Sequence, residues 1–397
     1  MTTKPTTPPS PDTCGERSGP LVGIRIVELS GLGPAPMASM MLADMGADVI
    51  RVERHGSWNP LGDDDISFRG KRSVVINLKN PTGIDLLLDL IETADVFIDP
   101  YRPGVCERMG IGPDTCLDRN PRLVYGRMTG WGQTGPLAHA SGHDINYIAI
   151  TGALHAVGER VGRPMPALNL LGDMAGGGML LWGGILAALL EASISGTGQV
   201  IDASMVDGTA QLMWLQHGML ARGDWDHTRR ESNMLDGGAH FYNTYECADG
   251  EYVCVGSIEP QFYAMLIEKT GVDPEQFADQ HSQIRWPELR AELNHVFRKK
   301  TRDEWCKIME GTDVCFAPVL DIEEAPRYHA NAERDVYIKV GGVTQPAPAP
   351  RFSRTPSRVS HPPRPIGADT QAVLRELGYL EETIERFSRD GVVSGAS

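Results

Sequence analysis

The segment from Ile24 to Val52 constrains the fold more than any other. Ile24-Arg25-Ile26-Val27-Glu28-Leu29 is an apolar run of strand length, and Ser30-Gly31-Leu32-Gly33-Pro34-Ala35-Pro36 is a turn. Met37 to Met45 then has helical periodicity, Gly46 stands where a helix C-cap belongs, and Asp48-Val49-Ile50-Arg51-Val52 is a second apolar run. Strand, helix and strand in so short a span form a βαβ unit, which requires a parallel sheet.

The alternation continues. Asn80-Pro81 opens a helix to about Thr93 with Leu86, Leu87, Leu90 and Ile91 on one face, and Asp95 to Asp99 is a strand. A short helix begins at Pro113, and Arg122 to Arg127 is a strand. An apolar helix from Met174 to Leu190, a strand from Gln199 to Ser204 and a helix from Val206 to Arg222 complete the series. Residues 21–222 therefore read as a large α/β domain, a Rossmann-like doubly wound parallel sheet. The pattern changes near Gly223: between Tyr242 and Ser257 two alternating runs flank Asp249-Gly250, a hairpin signal. Helices follow at Gln261 to Thr270, Trp286 to Arg298 and Asp303 to Glu310, the last opened by a Thr301/Glu304 capping box. Residues 223–327 make a smaller α+β domain. Residues 328–397 comprise a proline-rich return arm, Tyr328 to Pro365, and a C-terminal helix, Thr370 to Leu377, that complete the large domain. Residues 1–20, rich in Thr, Pro and Ser, read as a disordered tail.

A βαβ start with Gly31 and Gly33 after the first strand invites a dinucleotide reading. Pro36 holds the third fingerprint position, however, and Pro34 removes a backbone N–H from the loop that would bind a pyrophosphate. NAD and FAD are therefore not expected. A formal net charge of −15 argues against a general nucleic-acid surface and makes any local group of arginines informative. Seven scattered cysteines (Cys14, Cys106, Cys116, Cys247, Cys254, Cys306 and Cys315) form no C-x-x-C pair and no metal pattern, as in a reduced cytoplasmic protein. Met174 to Leu190 is shorter than a bilayer span and holds five glycines, so a closely packed core helix is expected there and no membrane segment.

Chemistry concentrates in two places. His143 and Asp173 stand at the edges of apolar, glycine-rich sequence, where an imidazole and a carboxylate are poised as proton carriers. A lone His before an apolar run is more often a hydrogen-bonded structural residue, and spacing alone does not overturn that reading. Arg54, Lys79, Arg102 and Arg108 lie at or just beyond strand ends, the edge at which parallel sheets bind ligands, and Pro and Gly fix the turn that carries Arg102. In so acidic a chain that suggests a phosphate-bearing ligand, although by pattern alone such cations are more often ordinary solvated or paired surface charge.

Arg127-Met128-Thr129-Gly130-Trp131-Gly132-Gln133-Thr134-Gly135-Pro136 resembles a signature of the family III CoA-transferases. Gly46 to Ile50, the Tyr101 to Val105 turn and the run Leu374 to Tyr379 fit the same family. Within it, Gly142 to Tyr147, Gly172-Asp173 and Ile258 to Tyr263 resemble the alpha-methylacyl-CoA racemase branch. The resemblance covers about residues 20 to 390. It implies a large Rossmann-like domain, a small domain and long arms that interlock two subunits into a homodimer. It also implies an acyl-CoA thioester as substrate, with no separate cofactor and no metal. Carried over by position, Arg54, Ile76, Asn77, Leu78, Lys79, Pro100, Tyr101, Arg102 and Arg108 would contact the CoA nucleotide. Gly142, Asp144, Ile145, Asn146 and Tyr147 would line the thioester, His143 and Asp173 would be paired acid-bases, and Glu259 the partner of His143.

The chemistry that follows is inversion of a carbon beside a thioester. Its hydrogen is weakly acidic, so an enolate must be stabilised while one group removes a proton and another, on the opposite face, delivers one. Backbone N–H groups near Asp144 are the expected enolate donors. The competing reaction within the family is CoA transfer, with Asp173 as a covalent nucleophile. Transferases resembling this chain carry an aromatic residue before Asp144, and His143 together with Glu259 favours the racemase. A binding protein without catalysis would leave both groups idle. Met205, Met213, Met219 and Met234 offer an adaptable surface for the acyl chain, although methionine at helical spacing is more commonly core.

Overall fold

The computed structural model describes residues 16–54, 56, 62 and 65–395. The tail reading for residues 1–15, including Cys14, lies outside the described residues. Contacts divide the chain into two units: Met1–Ile148, Asn169–Leu212 and Arg334–Ser397 form one, and Ala149–Leu168 with Met213–Glu333 the other. Relative to the expected boundaries, residues 149–168, 213–222 and 328–333 group with the second unit.

The first unit is built on a seven-stranded sheet. Its strands are β1 (Arg25–Leu29), β2 (Asp48–Glu53), β3 (Arg72–Ile76), β4 (Val96–Asp99), β5 (Val124–Thr129) and β6 (Gln199–Ser204), which are mutually parallel. The second unit holds β7 (Tyr242–Glu246), β8 (Tyr252–Gly256) and β9 (Phe316–Pro318) in an antiparallel sheet. β10 (Tyr337–Val340) and β11 (Val343–Pro346) make a hairpin in the return arm. Finally β12 (Val393–Ser394) joins the large sheet antiparallel to β3. The large sheet runs β12-β3-β2-β1-β4-β5-β6. Chain order reverses between β1 and β4, and that switch point opens the crevice in which such sheets bind ligands.

Period-2 alternation sorts the strand side chains to two faces. Ile26, Val49, Val96 and Ile98 meet Leu42 of the helix Pro34–Asp44 and Leu181 and Ile185 of the helix Leu180–Ser195. Val27, Ile50 and Phe97 meet Leu86, Leu87, Leu90 and Ile91 of Pro81–Glu92 on the other face. Val373, Leu374, Ile384 and Phe387, from the C-terminal helices Thr370–Glu376 and Glu381–Arg389, complete that layer. Covered on both faces, the inner strands need continuous apolar sequence.

β3 was not legible. It follows the buried Lys71 and begins Arg72-Ser73, and its polar groups are satisfied by distant chain. Arg72 pairs with Asp48 and Glu376, and the Ser73 backbone N–H donates to Asp369 at 2.9 Å. The helix expected from Val206 to Arg222 is two, Met205–Leu212 and Trp214–Arg222. The apolar helix is longer than expected, a continuous helical stretch of 26 residues from Leu170 to Ser195. By length and composition it suffices to cross a membrane, but Leu181, Ile185, Ala188 and Ala192 are buried against the first unit's core.

In the second unit the Asp249-Gly250 turn joins β7 to β8, with Gly250 in the left-handed region at φ 82°. Tyr245 stacks on Phe297 in its core, Trp305 packs tilted against the same ring, and the Thr301/Glu304 capping box is formed.

Candidate active site

Asp173 lies in a π-helical run, Leu170–Met179, that leads directly into Leu180–Ser195. The wide turn is held by close packing that only glycine permits. A methyl group on Gly177 would lie 2.9 Å from the Met205 side chain and 3.0 Å from that of Pro34, and one on Gly178 3.0 Å from the Met37 sulfur. A methyl on Gly208 would lie 1.8 Å from the carbonyl oxygen of Gly176. The run is thus wedged between Pro34–Asp44 and Met205–Leu212, and short π segments of this kind favour functional sites. The half-buried Asp173 carboxylate receives a 3.3 Å hydrogen bond from the Asn169 side chain. A Cβ on Gly33 would sit 3.7 Å from its Oδ2, so Asp173 faces the turn after β1 at the switch point.

His143 is exposed, immediately before the helix Asp144–Ile150. Its backbone N–H donates to Asn146 Oδ1 at 3.1 Å, and its carbonyl accepts from the N–H groups of Asn146 and Tyr147. Asp144 is buried, and its Oδ2 accepts from the backbone N–H groups of Gly172 at 2.7 Å and Asp173 at 2.8 Å. The segments carrying the imidazole and the carboxylate are therefore tied together. Tyr147 packs edge-on to Trp131 with ring centroids 4.8 Å apart. Methyl groups on Gly130 or Gly142 would lie 2.1 Å and 2.7 Å from its ring, which explains two glycines of the signature region.

The charges act on one another as one cluster. Burial, reinforced by the charge of Asp144, pushes the Asp173 carboxyl above its usual range, against the Asn169 hydrogen bond and the attraction of His143. Burial and the charge of Asp173 raise the Tyr147 phenol, while Arg102 acts in the opposite sense. The Asp144 clamp thus brings the segments of His143 and Asp173 together, with the Tyr147 ring packed against Gly142 beside them.

The cationic residues lie along the same edge of the sheet. Arg54 follows β2, Asn77, Leu78 and Lys79 follow β3, and Pro100, Tyr101 and Arg102 follow β4. Strands β3, β2, β1 and β4 are consecutive neighbours, so these ends share one rim. The β1 and β4 turns touch, since a Cβ on Gly31 would be 2.8 Å from Pro100. Arg54 acts electrostatically on Tyr101, and Arg102 donates to Ser141 Oγ at 2.9 Å. Arg108 ends the short helix Val105–Arg108 and approaches Gly104. Ile76 differs, because its side chain is buried in the core opposite Val393. Asn77 is held to the carbonyl of Gly391 at 3.1 Å.

A family model for CoA-transferase family III matches residues 21–370. This chain belongs to CoA-transferase family III. It is 46% identical over 378 residues to the alpha-methylacyl-CoA racemase of Mus musculus, spanning 94% of this chain and 97% of that one. The corresponding protein of Homo sapiens is 44% identical over 377 residues, with the same coverage. A solved CaiB/BaiF family protein from Brucella suis superposes with a TM-score of 0.77 at 25% identity, covering 91% of this chain and all of that one.

The remaining sequence-derived residues of this family III chain fall as follows. Glu259 belongs to the second unit, exposed at the N-cap of Pro260–Thr270, where its side chain makes no capping bond and its charge acts on Cys315. Gly142, Ile145, Asn146 and Tyr147 cluster about His143. Met205 and Met219 are buried and Met234 packs on the second unit's core, so of the four methionines only Met213 is outside core packing. Sequence reasoning missed the carboxylate of Asp144 as a tie to Asp173, and Asn169 as its hydrogen-bond donor. An acid at the first turn of one helix and an amide four residues before Asp173 were the only signals. Among the described residues no three His, Cys, Asp or Glu side chains gather as metal ligands.

Proposed function

We propose that this protein is a racemase of 2-methylacyl-CoA thioesters, with His143 and Asp173 as its paired acid and base. The observation that supports the reading is the Asp144 clamp, whose Oδ2 accepts from the backbone N–H groups of Gly172 and Asp173 and so ties the segments of His143 and Asp173 together. The racemase relatives at 44–46% identity support it. One group removes the α-proton, the enolate forms, and the other group returns a proton to the opposite face. The pair then exchanges protonation states with solvent and runs in either direction. The enolate oxygen is assigned to the backbone N–H groups at Asp144, which lie outside the internal ladder of their helix. Arg54, Lys79, Arg102 and Arg108 hold the CoA phosphates at the sheet edge, which brings the acyl carbon toward Asp173.

Glu259 is assigned to orient the imidazole of His143, supplied within an interlocked homodimer. An outward apolar row on one helical stretch, Leu170, Leu180, Leu190 and Ile194, supports burial against a second copy, with Ile194 81% exposed in the single chain. The six described cysteines are all unpaired, in keeping with a cytoplasmic enzyme, and the net charge of −15 is unsuited to nucleic acid. No redox nucleotide is assigned, because the carboxylate of Asp173 faces Gly33, where a pyrophosphate would sit. No metal and no membrane partner are assigned either.

The test is incubation with (R)- or (S)-2-methylacyl-CoA in D2O. Deuterium uptake at the α-carbon with loss of optical purity is expected, and His143→Ala should abolish both. CoA appearing on an added carboxylate without α-exchange would establish the transferase reaction through Asp173 instead.

A further inference from the structure

The buried carboxylate of Asp144 has no place in the mechanism above, which uses only its backbone. It is 5% exposed, and one oxygen takes both of its hydrogen bonds while Oδ1 has no partner among the described residues. A buried carboxyl with one oxygen left unpartnered is costly, and such a group beside a candidate site is itself a candidate for a role there. Its neighbours along the chain and across space are the two reacting groups. His143 precedes it, and Asp173 offers it a backbone N–H at 2.8 Å. Gly172 is required for the same contact, since a Cβ there would lie 2.7 Å from Asp144 Oδ2.

We propose that Asp144 is the positioning residue of the acid–base pair, fixing the spacing of His143 and Asp173 through its clamp on the 172–173 backbone and biasing their shared proton toward Asp173 by its charge. The proposal rests on the racemase reading. The direction of the Asp173 shift agrees with it, because the charge of Asp144 adds to burial in holding the proton there. The other groups bearing on Asp173 are Asn169 and His143, while Asp173 in turn raises the Tyr147 phenol. The packed helices Pro34–Asp44 and Met205–Leu212 carry Asp44 and Asp207, neither of which figures among the charges acting on it.

Asp144→Asn and Asp144→Ala separate the two roles. Asparagine keeps an oxygen for both backbone N–H groups and loses the charge; alanine loses both. In Asp144→Ala, kcat for racemisation of a saturated 2-methylacyl-CoA should fall about a hundredfold with KM changed less than about threefold, because displaced reacting groups cost rate rather than binding. In Asp144→Asn, kcat should stay within about tenfold of wild type, and the acid limb of the pH profile should move to lower pH. The displacement should be equal in both directions, since both use the same singly protonated pair. Wild-type kcat in Asp144→Ala, or an unmoved acid limb in Asp144→Asn, would overturn the proposal. If alanine prevents folding, the asparagine profile decides alone. Absence of α-exchange in the wild type would instead defeat the racemase reading.

Discussion

Replacing Lys71 by Met tests the account of how the first unit is held beneath the site. The Lys71 side chain has no exposure; its Nζ donates to Glu28 at 2.8 Å, to Ser39 Oγ at 2.6 Å and to the carbonyl of Pro36 at 3.0 Å. Glu28 is equally buried and also accepts from Ser39. Methionine fills nearly the same volume, so the loss is electrostatic rather than a cavity. What remains is a buried carboxylate with one hydroxyl donor, and breaking such a pair from one side costs about 3–5 kcal/mol. In a unit of roughly 250 residues, where each kcal/mol moves Tm by about 2–4 °C, the drop is roughly 10 °C. The double variant Lys71→Met with Glu28→Gln removes the stranded charge and should regain at least half of that loss. The assay is calorimetric unfolding of both variants beside wild type, with urea midpoints as a check. A single variant within about 1 kcal/mol of wild type, or a double variant no more stable than the single, would refute the reasoning.

Three further outcomes follow from named contacts. Gly208→Ala forces a methyl group against the carbonyl of Gly176, which no side-chain rotation relieves, so it should displace the π-helical run and cost both stability and α-exchange; unchanged exchange rates would contradict the packing described. His240 is fully buried and burial lowers it from 6.5 to about 3, so the unfolded chain takes up a proton first as pH falls below 6.5. Its contribution is intact above pH 6.5 and is lost on the way to pH 3, about 2 kcal/mol between pH 7 and 5. Urea midpoints of the second unit's transition should show that loss, and it should vanish in His240→Gln. Arg54→Ala and Arg102→Ala should each raise KM for acyl-CoA about tenfold or more with little change in kcat, read from initial racemisation rates.

Local chemistry made much of this protein legible in its sequence. The βαβ start, the Asn80-Pro81 helix entry, the Asp249-Gly250 hairpin and the Thr301/Glu304 capping box each depend on neighbours within a few residues, and each formed. Apolar periodicity assigned Ile26 and Val27 to opposite faces for the same reason, because alternation is a property of the strand itself. Lys71, Arg72 and Ser73 stand at the other extreme. As sequence they are a polar stretch, and they are buried only because Glu28, Glu376 and Asp369 arrive from distant chain to satisfy them. The same holds at the site. His143 and Asp173 were recognisable as residue types, whereas the tie between their segments depends on the Asp144 clamp and on glycines that let three helical segments approach. Apolar burial follows a period that the chain carries along its length. Burial of a charge depends on a partner in space, and only the tertiary structure supplies one.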